Sequence, residues 1–226
     1  QPRALPKATP ATEAIAKGRA VINRYGCAQC HTIEGRRGVL TAEQLDRGME
    51  LWMLPPNLYG EGNRVHAEWL FQFLKNPYLH QPDGVRPATV QRMPRFRLSD
   101  DEATALVDYF NAVAGRKDRL STDPEDEPLD DTPYEAPVVI TVKEKDEAGK
   151  EIESKVTVNS LRAEAKALFD RRGCVKCHLP KGAPGTESGE GASAPPFTLA
   201  AKRLTRAWMG DLLHNPQNQI PGTKMP

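Results

Sequence analysis

Two cysteines three residues apart, with a histidine directly after the second, form the stretch Cys27-Ala28-Gln29-Cys30-His31. That spacing suits one piece of covalent chemistry. Each sulfur can add across one of the two vinyl groups on a haem edge, and the adjacent imidazole can offer a ring nitrogen to the iron. The pattern recurs as Cys174-Val175-Lys176-Cys177-His178, and the two copies use all four cysteines of the chain. Zinc is the competing use of such residues, but a zinc site wants four ligands at short spacing. Here the pairs lie far apart, each with its own surroundings, so the pattern favours two haem attachment sites with His31 and His178 as iron ligands.

Candidates for the opposite face of each iron are Met93 and Met225, each between a basic residue and a proline, in Arg92-Met93-Pro94 and Lys224-Met225-Pro226. Methionine is more often a packing residue, but a polar, proline-bounded loop is not a core setting. Thioether sulfur is a soft ligand that raises haem potential. His214 is the rival of Met225, whereas His66 and His80 read as solvated. Met49, Met53 and Met209 read as packing residues. Trp69 and Trp208 serve either as plain core or as haem contacts. Arg92 could pair with a haem propionate, as could Arg95 and Arg97, against the plainer reading of solvated surface arginines.

These residues need elements to hold them. Residues 1–11 carry three prolines and read as a leader; Thr12 and Glu13 then open a helix with Ile15, Gly18, Val21, Ile22 and Tyr25 on one stripe, running into the first motif. A short helix is expected around Thr41–Leu54, and another over His66–Lys75 with Trp69, Leu70, Phe73 and Leu74 on its apolar side. Ser99 and Glu102 form a capping box for a helix that Gly115 stops. Ser160 caps a helix over Leu161–Arg172 ahead of the second motif, and a last helix carries Leu204, Trp208, Met209, Leu212 and Leu213. Between the halves, residues 120–135 form an acidic, proline-rich linker. Val138–Val142 and Ile152–Val158 then flank a glycine-containing turn, which predicts a β-hairpin.

The halves repeat one order of features: helix, Cys-x-x-Cys-His, Pro-Pro, a helix with a central tryptophan, Asn-Pro, and a basic residue before Met-Pro. Trp69 answers to Trp208, Asn76-Pro77 to Asn215-Pro216, Met93 to Met225, and Gly18 to Ala165.

On these residues the chain resembles dihaem c-type cytochromes built as tandem class I cytochrome c modules, over about residues 12–115 and 160–226. The resemblance implies a mainly α fold with module 1 over 1–119 and module 2 over 160–226, and the linker and hairpin over 120–159 lie outside it. It implies two haem c groups held by Cys27, Cys30, Cys174 and Cys177. It also implies a first helix crossing the last through Gly18 against Tyr109 or Phe110. After Met225 a single residue remains, so the second module lacks its closing helix and the natural chain is expected to continue.

Bulk composition agrees. Hydrophobic content is 38% and aromatic content 6%, low for two ordinary cores unless bound haem supplies apolar surface. Net charge is +4 over residues 1–119, −7 over 120–135 and +4 over 136–226. No basic run with interleaved aromatics suggests nucleic acid, and no apolar run reaches the ~20 residues of a membrane span.

The expected function is electron transfer. Two six-coordinate irons leave no open position for substrate, so no catalytic site of its own is expected. The resemblance implies a periplasmic location or the outer face of the cytoplasmic membrane, redox protein donors and acceptors, and a larger membrane-associated respiratory complex. One alternative is a dihaem peroxidase with one open haem, which requires Met93 or Met225 not to bind iron. Another is the haem portion of a larger oxidoreductase.

Overall fold

The computed structural model describes residues 10–49, 54–78, 93–115, 138–145, 151–158, 160–178, 200–223 and 225. The chain divides into two compact units, residues 1–126 with 194–226, and residues 127–193. This differs from the boundaries 1–119, 120–159 and 160–226 expected from the sequence. Residues 200–223 pack within the first unit, because the backbone around Leu204 pairs with that around Val65. Met53, His80, Arg92, the leader over 1–9 and the acidic linker lie outside the described residues.

In the first unit, helix α1 spans Ala11–Tyr25. Its buried residues are Ala14, Gly18, Val21 and Ile22. Their three- and four-residue steps make one stripe, which packs on α6, Asp100–Val113. Gly18 sits at the crossing: a Cβ there would overlap the Cβ of Tyr109, so only glycine lets the axes approach this closely. Tyr109, rather than Phe110, takes the role expected from the resemblance.

α6 starts as the sequence predicts. Ser99 Oγ accepts from the Glu102 N–H (3.1 Å), and the Glu102 carboxylate accepts from the Ser99 N–H (2.9 Å). Asp100, Asp101 and Glu102 in the first turn also suit the positive end of the helix dipole. Two side-chain clusters tie the α1–α6 crossing. Arg24 and Tyr25 donate to the Glu102 carboxylate at 2.8 and 2.9 Å. Arg19 and the Tyr109 hydroxyl donate to one oxygen of Glu34 at 2.8 and 2.9 Å.

Between these helices come α2 (Cys27–Cys30), α3 (Val39–Asp46), α4 (Glu61–Arg64) and α5 (Ala67–Lys75). α3 is shorter than the helix expected over Thr41–Leu54 and ends ahead of Gly48, whose φ is 82°. α5 buries Leu70, Phe71 and Leu74. Trp69 instead stacks on Phe73 with ring centroids 5.0 Å apart. The core gathers Val21, Ile22, Val65, Leu70, Leu106 and Val107 among others.

The unit is completed by α8 (Ala200–Arg203), α9 (Arg206–His214) and α10 (Pro216–Gln219). The single helix expected through Leu204 and Trp208 is broken between them. Thr205 caps α9 by accepting from the Trp208 N–H, and Leu204 leaves helical geometry to pair with Val65.

In the second unit, β1 (Val138–Lys145) and β2 (Glu151–Val158) run antiparallel, with Val138 opposite Val158 and Lys145 opposite Glu151. α7, Leu161–Arg171, follows, its N-terminus capped by Ser160 Oγ accepting from the Ala163 N–H at 3.0 Å. None of its residues is buried.

Candidate functional site

α1 delivers the chain to the first motif through Gly26, a left-handed residue (φ 67°) that ends the helix and redirects it. Cys27–Cys30 is then one helical turn. Residues three apart in such a turn lie on one face, so both sulfurs are presented to the same side. The His31 N–H donates to the Cys27 carbonyl at 3.0 Å and closes the turn.

The His31 ring is oriented by a second contact. Its Nδ1 lies 2.9 Å from the Pro56 carbonyl oxygen. A carbonyl only accepts, so Nδ1 carries the proton and Nε2 the lone pair, the tautomer a metal-binding imidazole needs. The Cys30 carbonyl accepts from Thr41 Oγ1, and Gly38 packs so closely on Gln29 that a Cβ would crowd its carbonyl. The turn is thereby held from both sides.

Cys27 and Met93 are both half-buried and pack against the same apolar cluster. Burial pushes the Cys27 thiol above its ordinary range. Arg95 and Arg97 are exposed, and Arg97 has a positive φ of 52°. Met49 and His66 are half-buried, and His66 is the N-cap of α5 rather than an exposed solvated side chain.

The second motif repeats the local backbone. Gly173 is left-handed (φ 71°), Cys174–Lys176 forms a tight 3₁₀ turn, and the His178 N–H donates to the Cys174 carbonyl at 2.9 Å. Cys174 is half-buried and Cys177 exposed. These three site residues belong to the second unit, whereas Met225 belongs to the first. Met225 is half-buried and its N–H donates to Thr223 Oγ1 at 3.3 Å. Its rival His214 is exposed at the end of α9.

On sequence grounds Trp69 and Trp208 are open between core and haem contact. In the structure Trp208 is buried and Trp69 packs against the apolar cluster, and each is also covered by an arginine. The Arg203 guanidinium lies 4.9 Å from the Trp69 ring centroid and that of Arg64 5.0 Å from the Trp208 ring centroid.

Around the site the titrating groups serve structure. The Arg19 guanidinium bonded to Glu34, helped by the Tyr109 hydroxyl, holds that carboxyl below the usual range. Burial, then the bond to Glu34, raises Tyr109. The Ser99 N–H first, then Tyr25 and Arg24, bring Glu102 down to about 2. Sequence reasoning missed Pro56 and Thr41 as supports of the motif, since a backbone carbonyl partner leaves no residue-type signal. A depression of about 380 Å³ lined by Ile33, Leu58, Tyr59, Tyr109 and Phe110 contains none of the motif residues. Among the described residues no three His, Cys, Asp or Glu side chains converge as a metal-ion site.

The donor set therefore fits a haem: two thiols on one face of a turn, an imidazole fixed in the metal-binding tautomer, and a thioether on the same apolar cluster as one of the thiols. Comparison with known proteins agrees. Residues 15–114, just under half of the chain, match the family model for cytochrome c. The chain is also similar to one of the subunits of nitric oxide reductase from Paracoccus denitrificans, at 30% identity over 99 residues. That match covers 44% of this chain and 58% of the relative, so it spans little more than half the relative's length. No solved structure matches. Among the described residues no helix is long and apolar enough to cross a membrane.

Proposed function

We propose that the chain is a dihaem electron carrier, with one haem c on Cys27, Cys30 and His31 and a second on Cys174, Cys177 and His178. Met93 and Met225 are assigned as the sixth ligands. The observation that carries the reading is the His31–Pro56 contact behind a Cys-x-x-Cys turn, inside the stretch that matches cytochrome c. The second site rests on the same turn repeated after a left-handed glycine at Gly173.

Haem supplies one-electron chemistry, and the protein supplies ligands, dryness and electrostatics. Here the Pro56 carbonyl increases the basicity of the His31 imidazole through Nδ1, and the apolar cluster lies against Cys27 and Met93. Similarity to part of nitric oxide reductase supports a place in a respiratory complex on the periplasmic side, fed and drained by redox proteins.

The test is the haem count and the spectrum of the purified protein. Two covalent haems by intact mass, low-spin in both oxidation states and carrying the red charge-transfer band of methionine-bound ferric haem, are expected. One haem would remove the dihaem reading. A resting high-spin haem that turns over peroxide would replace the carrier with a peroxidase.

A further inference from the structure

The two halves of the repeat meet in a reciprocal contact within the first unit. Val65 and Leu204 form an antiparallel bridge. The His66 N–H donates to the Arg203 carbonyl at 3.0 Å, and the Thr205 N–H donates to the Arg64 carbonyl at 3.0 Å. These four residues are repeat equivalents, since Arg64 and Arg203 stand five residues before Trp69 and Trp208 respectively. The side chains follow the same exchange: Arg64 covers Trp208, and Arg203 covers Trp69. Contacts of residue i with j and of j's equivalent with i's equivalent define an isologous surface. The pairing is thus a local pseudo-two-fold, with the Val65–Leu204 bridge at its centre.

We propose that residues 64–69 and 203–208 form a self-complementary docking surface. Through it the C-terminal arm of the second repeat is seated on the first repeat, with the two Arg–Trp couples as its anchors. Trp208 is 8% exposed and the Arg64 side chain 15% exposed, so that couple is largely desolvated. Guanidinium over indole is the strongest pairing of its kind and gains most when dry. The Arg64 charge is balanced by Glu61, 3.5 Å away and itself buried. The second repeat has Ala200 where the first has Glu61. The Thr205 hydroxyl adds a bond to the Asn63 carbonyl at 2.5 Å, holding the start of α9 on the end of α4.

The arm so anchored ends at Met225. Resting on the assignment of Met225 as a sixth ligand, Arg64 and Trp69 then act as positioning residues in one repeat for the sixth-ligand loop of the other. The docking surface itself does not need that assignment.

The experiment uses the full-chain holoprotein and two readouts. Limited proteolysis under native conditions follows release of the arm, and cleavage tracks the open population when closing is fast. Arg64→Met and Trp208→Leu are each expected to raise the release rate about three- to tenfold. The double variant should fall short of the product of the two single effects, because both remove the same couple, although Arg64→Met also unpairs the buried Glu61 and Trp208→Leu also removes buried area. Arg203→Met with Trp69→Leu should behave likewise, and Arg64→Lys should lie between wild type and Arg64→Met. Independent, multiplicative effects of Arg64→Met and Trp208→Leu, or unchanged release in all variants, would overturn the surface. The second readout is the red methionine-to-iron band. If wild type lacks it for the second haem, the ligand assignment fails while the proteolysis result still decides the docking surface. If wild type shows it, a loss in Arg64→Met in step with arm release supports the positioning role, and an unchanged band in a freely released arm overturns that role.

Discussion

The Nδ1 of His31 stands 2.9 Å from the carbonyl oxygen of Pro56, and this contact decides which imidazole nitrogen can meet a metal. It also ties the Cys-x-x-Cys turn to a distant proline pair, so the ring is fixed by the fold rather than by the motif. His31→Gly removes the imidazole but leaves both cysteines to anchor the haem. The expected product keeps its first haem, loses the low-spin spectrum of that site, and regains it when free imidazole is added. An unchanged low-spin spectrum in His31→Gly would remove His31 as the ligand.

Gly18 and Tyr109 set the closest approach of α1 and α6. A Cβ at position 18 overlaps the Tyr109 side-chain base, which cannot swing away because its hydroxyl is held by Glu34. Gly18→Ala should destabilise the first unit by about 1–3 kcal/mol through overpacking, despite the better helix propensity of alanine. The repeat equivalent Ala165 is exposed on α7, and Ala165→Ser should change stability by no more than about 0.5 kcal/mol. Urea unfolding of the two holoprotein variants, followed at the haem bands, measures both.

That contrast shows what was readable in the residues. The Ser99 capping box is a local signal, and the structure forms it as that signal demands, whereas the Gly18 crossing was an expectation from the family resemblance rather than from spacing. The break at Leu204–Thr205 was not readable. Helical spacing of Leu204, Trp208 and Leu212 looks continuous, and the bridge to Val65 is what holds Leu204 out of the helix there. The arginine over each tryptophan was hidden for the same reason: Arg64 and Arg203 reach Trp208 and Trp69 only across the contact between the repeats. At the second site the turn could be anticipated from the repeat, but the lack of burial along α7 could not. Periodicity says which face can be covered, and not whether anything in the described residues covers it.

Glu102 provides a pH test of the α1–α6 crossing. Its carboxylate accepts from the Ser99 N–H, from the Tyr25 hydroxyl and from Arg24, which together lower it from 4.5 to about 2. A carboxyl lowered on folding contributes stability that is fully present above its unfolded value and is lost as pH falls through its folded value. Glu102→Gln should therefore be less stable than wild type at neutral pH, with the gap closing between pH 4.5 and about 2. Denaturant midpoints for the two proteins across that range give the answer, and a pH-independent gap would assign the effect to the cap alone.

Met93 is the last point at which the carrier reading can be broken. It is half-buried against the same apolar cluster as Cys27, in an irregular segment that ends at the Ser99 cap. Exchanging thioether for imidazole replaces a soft, potential-raising ligand by a more basic one. Met93→His should keep the first haem low-spin, abolish its methionine charge-transfer band, and lower its midpoint potential by on the order of 0.1 V, within the ~0.8 V span that axial ligands command. Met49→Leu is the control, since Met49 is assigned to packing and its loss should leave band and potential in place. Potentiometric titration of wild type and both variants separates the outcomes. A band that survives Met93→His but disappears in Met49→Leu would move the sixth ligand to Met49, just after α3.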